Sequence, residues 1–219
     1  MDKLRMRFSK TGRAVYISHL DLMHTMQRAI ARAGYSLKYS EGYNPHPQIS
    51  IALPLSVGMS SMCEVMDFRL NEEIDLQEFR EKVNRNLPEG IEAAEVYPAE
   101  TKSALIKWLE IEGTFEYDER RPEDMLPGVE AFFRRENIMV TKKSKRGMTE
   151  ADIRPMIRSI AFRAGEDSLA LHAVISAAEP TLNPELLSGA LRQLQPELAP
   201  DFASYCRIGT YQANGEIFR

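Results

Sequence analysis

Three of the four histidines in this chain, His19, His24 and His46, fall in one short stretch near its start. An imidazole exchanges protons near neutral pH and both donates and accepts hydrogen bonds, so acid–base chemistry or recognition of a polyanion would sit here. His24, Arg28 and Arg32 are spaced four apart and share one face of a helix. His19 falls in the first turn of that helix, where unpaired backbone N–H groups and the helix dipole favour an anion. A phosphate resting there could also touch Lys10, Arg13 or the backbone at Gly12. The same pattern describes a capped amphipathic helix with a solvated basic face.

The loop that follows runs Tyr39-Ser40-Glu41-Gly42-Tyr43-Asn44-Pro45-His46-Pro47. Gly42 opens a backbone conformation closed to other residues, and the prolines stiffen the chain after it. Tyr39, Tyr43, Asn44 and His46 on a rigid loop suit stacking on a base and reading its edge in single-stranded RNA. A tight structural connection with its aromatics turned into the core would use the same residues. A second basic run, Lys142-Lys143-Ser144-Lys145-Arg146-Gly147, reads by composition as a mobile loop that contacts phosphates or is simply solvated. Asp152 and Arg154 can pair with one another or hold a backbone turn. His172, inside an apolar alternating strand, reads as a satisfied core histidine.

The candidate RNA contacts are therefore Lys10, Arg13, His19, Arg28, Arg32, Tyr43, Asn44, His46, Lys142, Lys143, Lys145 and Arg146. A catalytic role is left unassigned. A nuclease that uses the RNA's own 2′-hydroxyl needs a proton acceptor and a proton donor. His19 and His24 are five apart and point about 140° from each other on a helix. That leaves His46 with one of them, and His19 with His46 as the couple to test. No nucleotide-binding glycine loop, HExxH zinc site or G-x-S-x-G nucleophile motif is present. His19, His24, His46 and Cys63 have no recognisable metal-ligand spacing, so no metal and no cofactor are expected.

At 219 residues the chain exceeds the common domain size of roughly 100–150, which predicts two domains, 1–100 and 101–219. Only two cysteines occur, Cys63 and Cys206, without a CxxC, which fits a reducing compartment and argues against a zinc knuckle or iron–sulfur cluster held by this chain. No apolar run approaches the ~20 residues of a membrane span, and the first residues lack the apolar core of a secretion signal. A cytoplasmic protein without membrane contact is expected. The net charge is −4, but residues 1–50 hold eight Lys/Arg against three Asp/Glu, and residues 134–163 hold nine against three. Two basic islands in an acidic chain can meet a polyanion while the rest stays soluble.

The elements that must position these residues follow from periodicity. Residues 3–8 alternate apolar and basic, as a half-buried strand does. Ser18 and Asp21 have the spacing of a helix cap with an acidic third residue, and Gly34 closes that helix. Leu20, Met23, Met26, Ile30 and Ala33 make its expected buried stripe. Strand-like runs at 48–55 and 63–70, a helix from Asp75 to about Asn86 and a strand at 91–97 complete a split βαβ order. The second half reads as strand 108–117, helix 122–137, strand 138–142, strands 157–163 and 168–176, helix 184–194 and strand 205–211. The predicted fold is α+β: two tandem ferredoxin-like (βαββαβ) domains, antiparallel sheets with helices on one face, joined near 98–103.

Several motifs together resemble a known family. The run from Phe8 to Leu22, with Ser18-His19-Leu20-Asp21, then Arg28-Ala29 and Arg32-Ala33-Gly34, is similar to the radical SAM-linked (radical SAM-associated) protein family of uncharacterised function. Ser40 to Pro47, Pro54-Leu55-Ser56-Val57-Gly58 and Asp152-Ile153-Arg154-Pro155 continue the likeness, which is strongest over residues 5–70. Where the family pattern has arginine in the first helix, this chain has His24. The resemblance implies a cobalamin-binding-type radical SAM protein as partner and a role in RNA processing or modification. This chain lacks the three closely spaced cysteines of a radical SAM cluster, so radical chemistry would belong to the partner.

Architecture alone also resembles the CRISPR repeat-processing endoribonucleases, although the glycine-rich loop near their C-terminus is not evident here. The leading expectation is a non-catalytic RNA-binding or substrate-presenting accessory to a separate radical SAM enzyme. The alternatives are a metal-independent endoribonuclease and a protein–protein adaptor that docks through the acidic helix at 75–86.

Overall fold

A computed structural model describes residues 3–144 and 147–219, with the backbone alone at 143 and 144. The chain forms two compact units, the residues up to Leu105 together with Arg219, and Ile106–Phe218. The first contains β1 (Leu4–Lys10), α1 (His19–Arg32), β2 (Ile49–Ile51), β3 (Ser60–Phe68), α2 (Leu76–Asn84) and β4 (Ile91–Pro98). Its strands lie in the order β4-β1-β3-β2, with every neighbouring pair antiparallel.

Both helices start where their caps put them. Asp21 N donates to Ser18 Oγ at 3.2 Å, and Glu78 N donates to the Asp75 carboxylate at 2.8 Å, each relieving an unpaired N–H of a first turn. Gly34, at φ +91°, takes the left-handed conformation that ends α1. Leu22, Met26, Ala29 and Ile30 face Phe68, Phe79 and Val83 in one core. Leu20, expected in that stripe, is instead 70% exposed. Two positions before Leu22, it points about 200° away on a helix of 3.6 residues per turn.

The second unit contains β5 (Trp108–Glu116), α3 (Pro122–Phe133), β6 (Met139–Ser144), β7 (Gly147–Asp152), β8 (Ile157–Ala164), β9 (Ser168–Ser176), α4 (Glu185–Leu194) and β10 (Phe202–Tyr211). Its antiparallel order is β10-β5-β9-β8, and β6 with β7 makes a separate two-stranded ribbon. Ile111, Phe115, Leu169, Leu171, Ala173 and Ile175 are buried, as are Val129, Phe133 and Leu187 of the helices. The architecture is mixed α+β and antiparallel, with four α-helices among the described residues. None of these helices is long and apolar enough to cross a membrane.

Two expectations change here, and a third is decided between its two alternatives. The expected strand 138–142 runs on beyond Lys142: Lys143, expected in a loop, also lies in β6, and Lys142 and Lys143 pair with Thr149 and Met148 of β7, a strand not expected from the sequence. Lys145 and Arg146 lie outside the described residues. Asp152 does not pair with the Arg154 guanidinium. Its Oδ1 accepts the backbone amides of Ile138 (2.8 Å) and Arg154 (3.0 Å), so it holds a turn. His172 is not in the core: it falls on the outward phase of β9 and meets Glu110 at 2.8 Å.

Candidate nucleic-acid interface

The outer face of α1 is an open basic surface of the first unit. His24, Arg28 and Arg32 are all exposed on it, as their four-residue spacing requires, and Arg13 is exposed before its N-terminus. Among the described residues none of these four has an ion pair or a side-chain hydrogen bond within the chain. Some cations elsewhere are engaged: Lys82 with Glu78 at 2.7 Å, Arg134 with Glu130 at 2.8 Å and Arg120 with Asp201 at 3.0 Å.

The loop after α1 is closed at its base and open at its tip. Tyr39 bridges Pro47, Ser40 N donates to His46 O at 2.8 Å, and His46 N donates to Ser40 Oγ at 2.9 Å. Gln48 adds a bond from Nε2 to Tyr39 O at 3.1 Å. Gly42 at φ +124° turns the tip, where Tyr43 is fully exposed and Asn44 and His46 are exposed beside it. The aromatics are therefore presented outward and do not plug the core.

Register decides which end of the helix this loop serves. Lys38 N donates to Arg69 O at 2.8 Å, Leu37 bridges Leu70, and Ile49 pairs with Phe68, which is opposite Leu4. The loop base thus lies where β1 begins and α1 ends. His19 lies where β1 ends and α1 begins. With 14 residues at 1.5 Å each, α1 separates the two by roughly 20 Å. The structure brings His46 near the Arg32 end and does not bring it to His19, so the expected couple His19–His46 is not assembled.

Lys10 is also not where the sequence reading puts it. It is 1% exposed, and its Nζ donates to the carbonyls of Ile17 (2.8 Å) and Val15 (3.3 Å) at the end of a 3₁₀ turn, Gly12–Tyr16. Burial lowers its pKa, against the opposing pull of the Glu64 charge. Lys10 is spent on these two carbonyls, of which Val15 O also accepts from Gly58 N at 2.9 Å, and it is not a surface contact.

A second charged group in this unit is structural in geometry. The Arg5 guanidinium grips Asp67 with two bonds, 2.6 and 3.0 Å, and donates to the Thr101 side chain and carbonyl, both at 2.8 Å. Lys3 adds a contact to Asp67 at 2.6 Å. Burial works against ionisation of Asp67, but the hydrogen bonds and charges of Arg5 and Lys3 outweigh it and hold the carboxyl below its ordinary pKa.

The outward face of the second unit's sheet has the opposite character. Glu110 accepts from Tyr211 Oη on one oxygen and meets His172 Nε2 at 2.8 Å on the other, with Glu112 and Glu116 exposed in the same phase of β5. The sequence reading missed this network, although strict alternation along β5 and β9 already puts Glu110 and His172 on the polar phase. Among the described residues no three His, Cys, Asp or Glu side chains converge on one point.

Comparison with known proteins adds the fold and the family. A crystal structure of a Cbf5-Nop10-Gar1 complex matches with a TM-score of 0.51 at 9% identity, over 94% of this chain and 48% of that one. The archaeal box H/ACA sRNP Nop10-Cbf5 complex follows at 0.46, 8% identity and 93% and 46% coverage. Thermus thermophilus Cse3, bound to an RNA representing a pre-cleavage complex, stands at 0.23, 12% identity and 94% and 99% coverage. The first likeness concerns the fold alone, and the other two carry no argument. The chain spans about half the length of the first two. No curated protein matches the sequence. Residues 3–184 match the family model described as "Uncharacterized protein conserved in bacteria (DUF2344)", and the chain belongs to that family.

Proposed function

We propose that this chain is a non-catalytic RNA-binding accessory, and that the outer face of α1 with the tip of the 39–47 loop is its RNA surface. The observation that carries the reading is the unpartnered row His24, Arg28 and Arg32, which ends beside a loop holding Tyr43 in solvent. Cations without internal carboxylates are free to replace counterions on a phosphate backbone, and an exposed ring is free to stack on a base. Arg28 and Arg32 position the strand; Tyr43, Asn44 and His46 read it. Arg13 and His19 extend the surface at the far end of α1, and Lys142 belongs to a separate basic strand.

In this reading each unit is a ferredoxin-like domain, the first built as β4-β1-β3-β2 and the second as β10-β5-β9-β8 with the β6–β7 ribbon inserted. The protein works in the cytoplasm, holds no cofactor of its own, and presents RNA to a cobalamin-binding-type radical SAM enzyme, the partner that its family resemblance implies. The separation of His19 from His46 along α1 counts against that couple as the acid and base of self-contained cleavage.

The test is binding of single-stranded oligonucleotides across a salt series. Arg28→Ala with Arg32→Ala should flatten the slope of log affinity against log salt by about 1.4, at roughly 0.7 for each phosphate no longer neutralised. An unchanged slope in the folded double variant removes α1 from the surface.

A further inference from the structure

This chain closes exposed strand edges with side-chain amides. In the first unit Asn84 of α2 grips β4: its Nδ2 donates to Ala93 O at 3.0 Å and its Oδ1 accepts from Ala93 N at 2.8 Å. Arg80 donates to the next carbonyl, Ala94 O, at 3.1 Å. In the second unit Gln193 of α4 does the same to β6, accepting from Thr141 N at 2.9 Å and donating to Thr141 O at 3.1 Å. Such caps deny an edge to another chain.

β8, at the end of the second unit's sheet, is capped among the described residues only at its start, where Arg154 Nη1 donates to Ile157 O at 2.9 Å. The turn after it sets which of its backbone groups face out. Gly165 N donates to Ser168 O at 2.8 Å, and bonded and non-bonded pairs alternate back from there. Arg163, Ala161 and Ser159 turn to β9; Ala164, Phe162 and Ile160 turn their N–H and C=O to the open edge. Among the described residues these outward groups have no hydrogen-bond partner. A cavity of about 250 Å³ lies between this edge and the last turn of α3, lined by Phe133, Phe162, Ile160, Arg134, Arg154 and Glu130. Phe162 stacks on Phe133 there, with ring centroids 5.4 Å apart.

We infer that this groove takes an extended, acid-flanked segment of a partner protein as an added strand. The edge offers donors and acceptors in alternation, which a polypeptide matches and a phosphodiester does not. A groove between an edge strand and a helix lets the main chain supply affinity while alternate side chains enter the pocket. Arg134 and Arg154 line the groove with the single carboxylate of Glu130; Arg134 pairs with Glu130 at 2.8 Å and Arg154 donates one N–H to Ile157 O, which leaves the groove one positive charge in excess and favours acidic flanks. The inference does not rest on the RNA reading, because the groove lies in the second unit and α1 in the first.

The test uses the full chain and a fluorescent octapeptide of alternating valine and threonine with aspartates at both ends. Binding that slows amide exchange at Ile160, Phe162 and Ala164 is expected. A twin N-methylated at alternate residues cannot donate and should bind at least about tenfold more weakly. Ile160→Pro removes an N–H that the sheet does not use and should weaken the peptide by a similar factor. Arg134→Glu, on an exposed side chain, should cost the aspartate peptide about threefold and favour a lysine-flanked version. No binding at millimolar peptide, equal binding of the methylated twin, or indifference to both substitutions overturns the inference. So does slowed exchange at those amides with oligouridine in place of the peptide, which would give the groove to RNA.

Discussion

The outer face of α1 and the outward face of the second unit's sheet are both exposed and polar, yet they differ in what holds their charges. On α1, Arg28 and Arg32 stand without a carboxylate in reach. On the sheet, Glu110 is held from two sides by Tyr211 and His172, and Glu112 and Glu116 lie exposed farther along the same face of β5. Charge satisfied inside the chain serves the fold, and charge left unsatisfied at a surface is available to a partner. Net charge, which is −4 for the whole molecule, hides this division.

The largest expected effect comes from reversing the basic face. Arg28→Glu with Arg32→Glu should cost single-stranded RNA about a hundredfold in affinity at moderate salt, measured by fluorescence anisotropy. Tyr43→Ala should cost about tenfold through loss of one stacked base, with Tyr43→Phe close to wild type. Making the acidic face basic, by Glu112→Lys with Glu116→Lys, should tighten binding by less than about threefold. A gain as large as the α1 loss would mean that the summed field, not local contact, does the binding.

The smallest effect concerns stability. The Tyr211 hydrogen bond, aided by His172 and opposed by burial, holds the Glu110 carboxyl below its ordinary pKa. A carboxylate whose folded pKa is depressed adds stability above its unfolded pKa and loses it as pH falls through the folded value. Glu110→Gln should therefore cost about 1 kcal/mol at neutral pH and almost nothing in acid, read from denaturant melts at both. An equal cost at both pH values would show that packing, and not charge, holds Tyr211 and His172.

Much of the site was legible because its determinants are local. Ser18 with Asp21, Asp75 with Glu78, and Gly34 each mark a helix end through neighbours three or four positions away. The row His24, Arg28 and Arg32 is a matter of helical spacing, and the exposed tip at Tyr43 follows from a stiff loop turned by Gly42. Lys10 misled because a buried lysine in an alternating strand looks like any exposed one until the carbonyls of Val15 and Ile17 are placed beside it. Lys143 misled because a polar β-ribbon has the composition of a loop.

Amino-acid order by itself determined the helices, most of the strands, the two basic islands and the exposed arginine row. These depend on interactions within a few residues, where spacing and capping decide the energy. Strand order and register decided the rest: that His19 and His46 stand at opposite ends of α1, that Arg5 and Asp67 meet across 62 positions, and that β8 ends its sheet with Ile160, Phe162 and Ala164 turned to an open edge. Those facts are set by which distant segments pair, because a hydrogen-bonded edge or a buried ion pair exists only once both partners are in place.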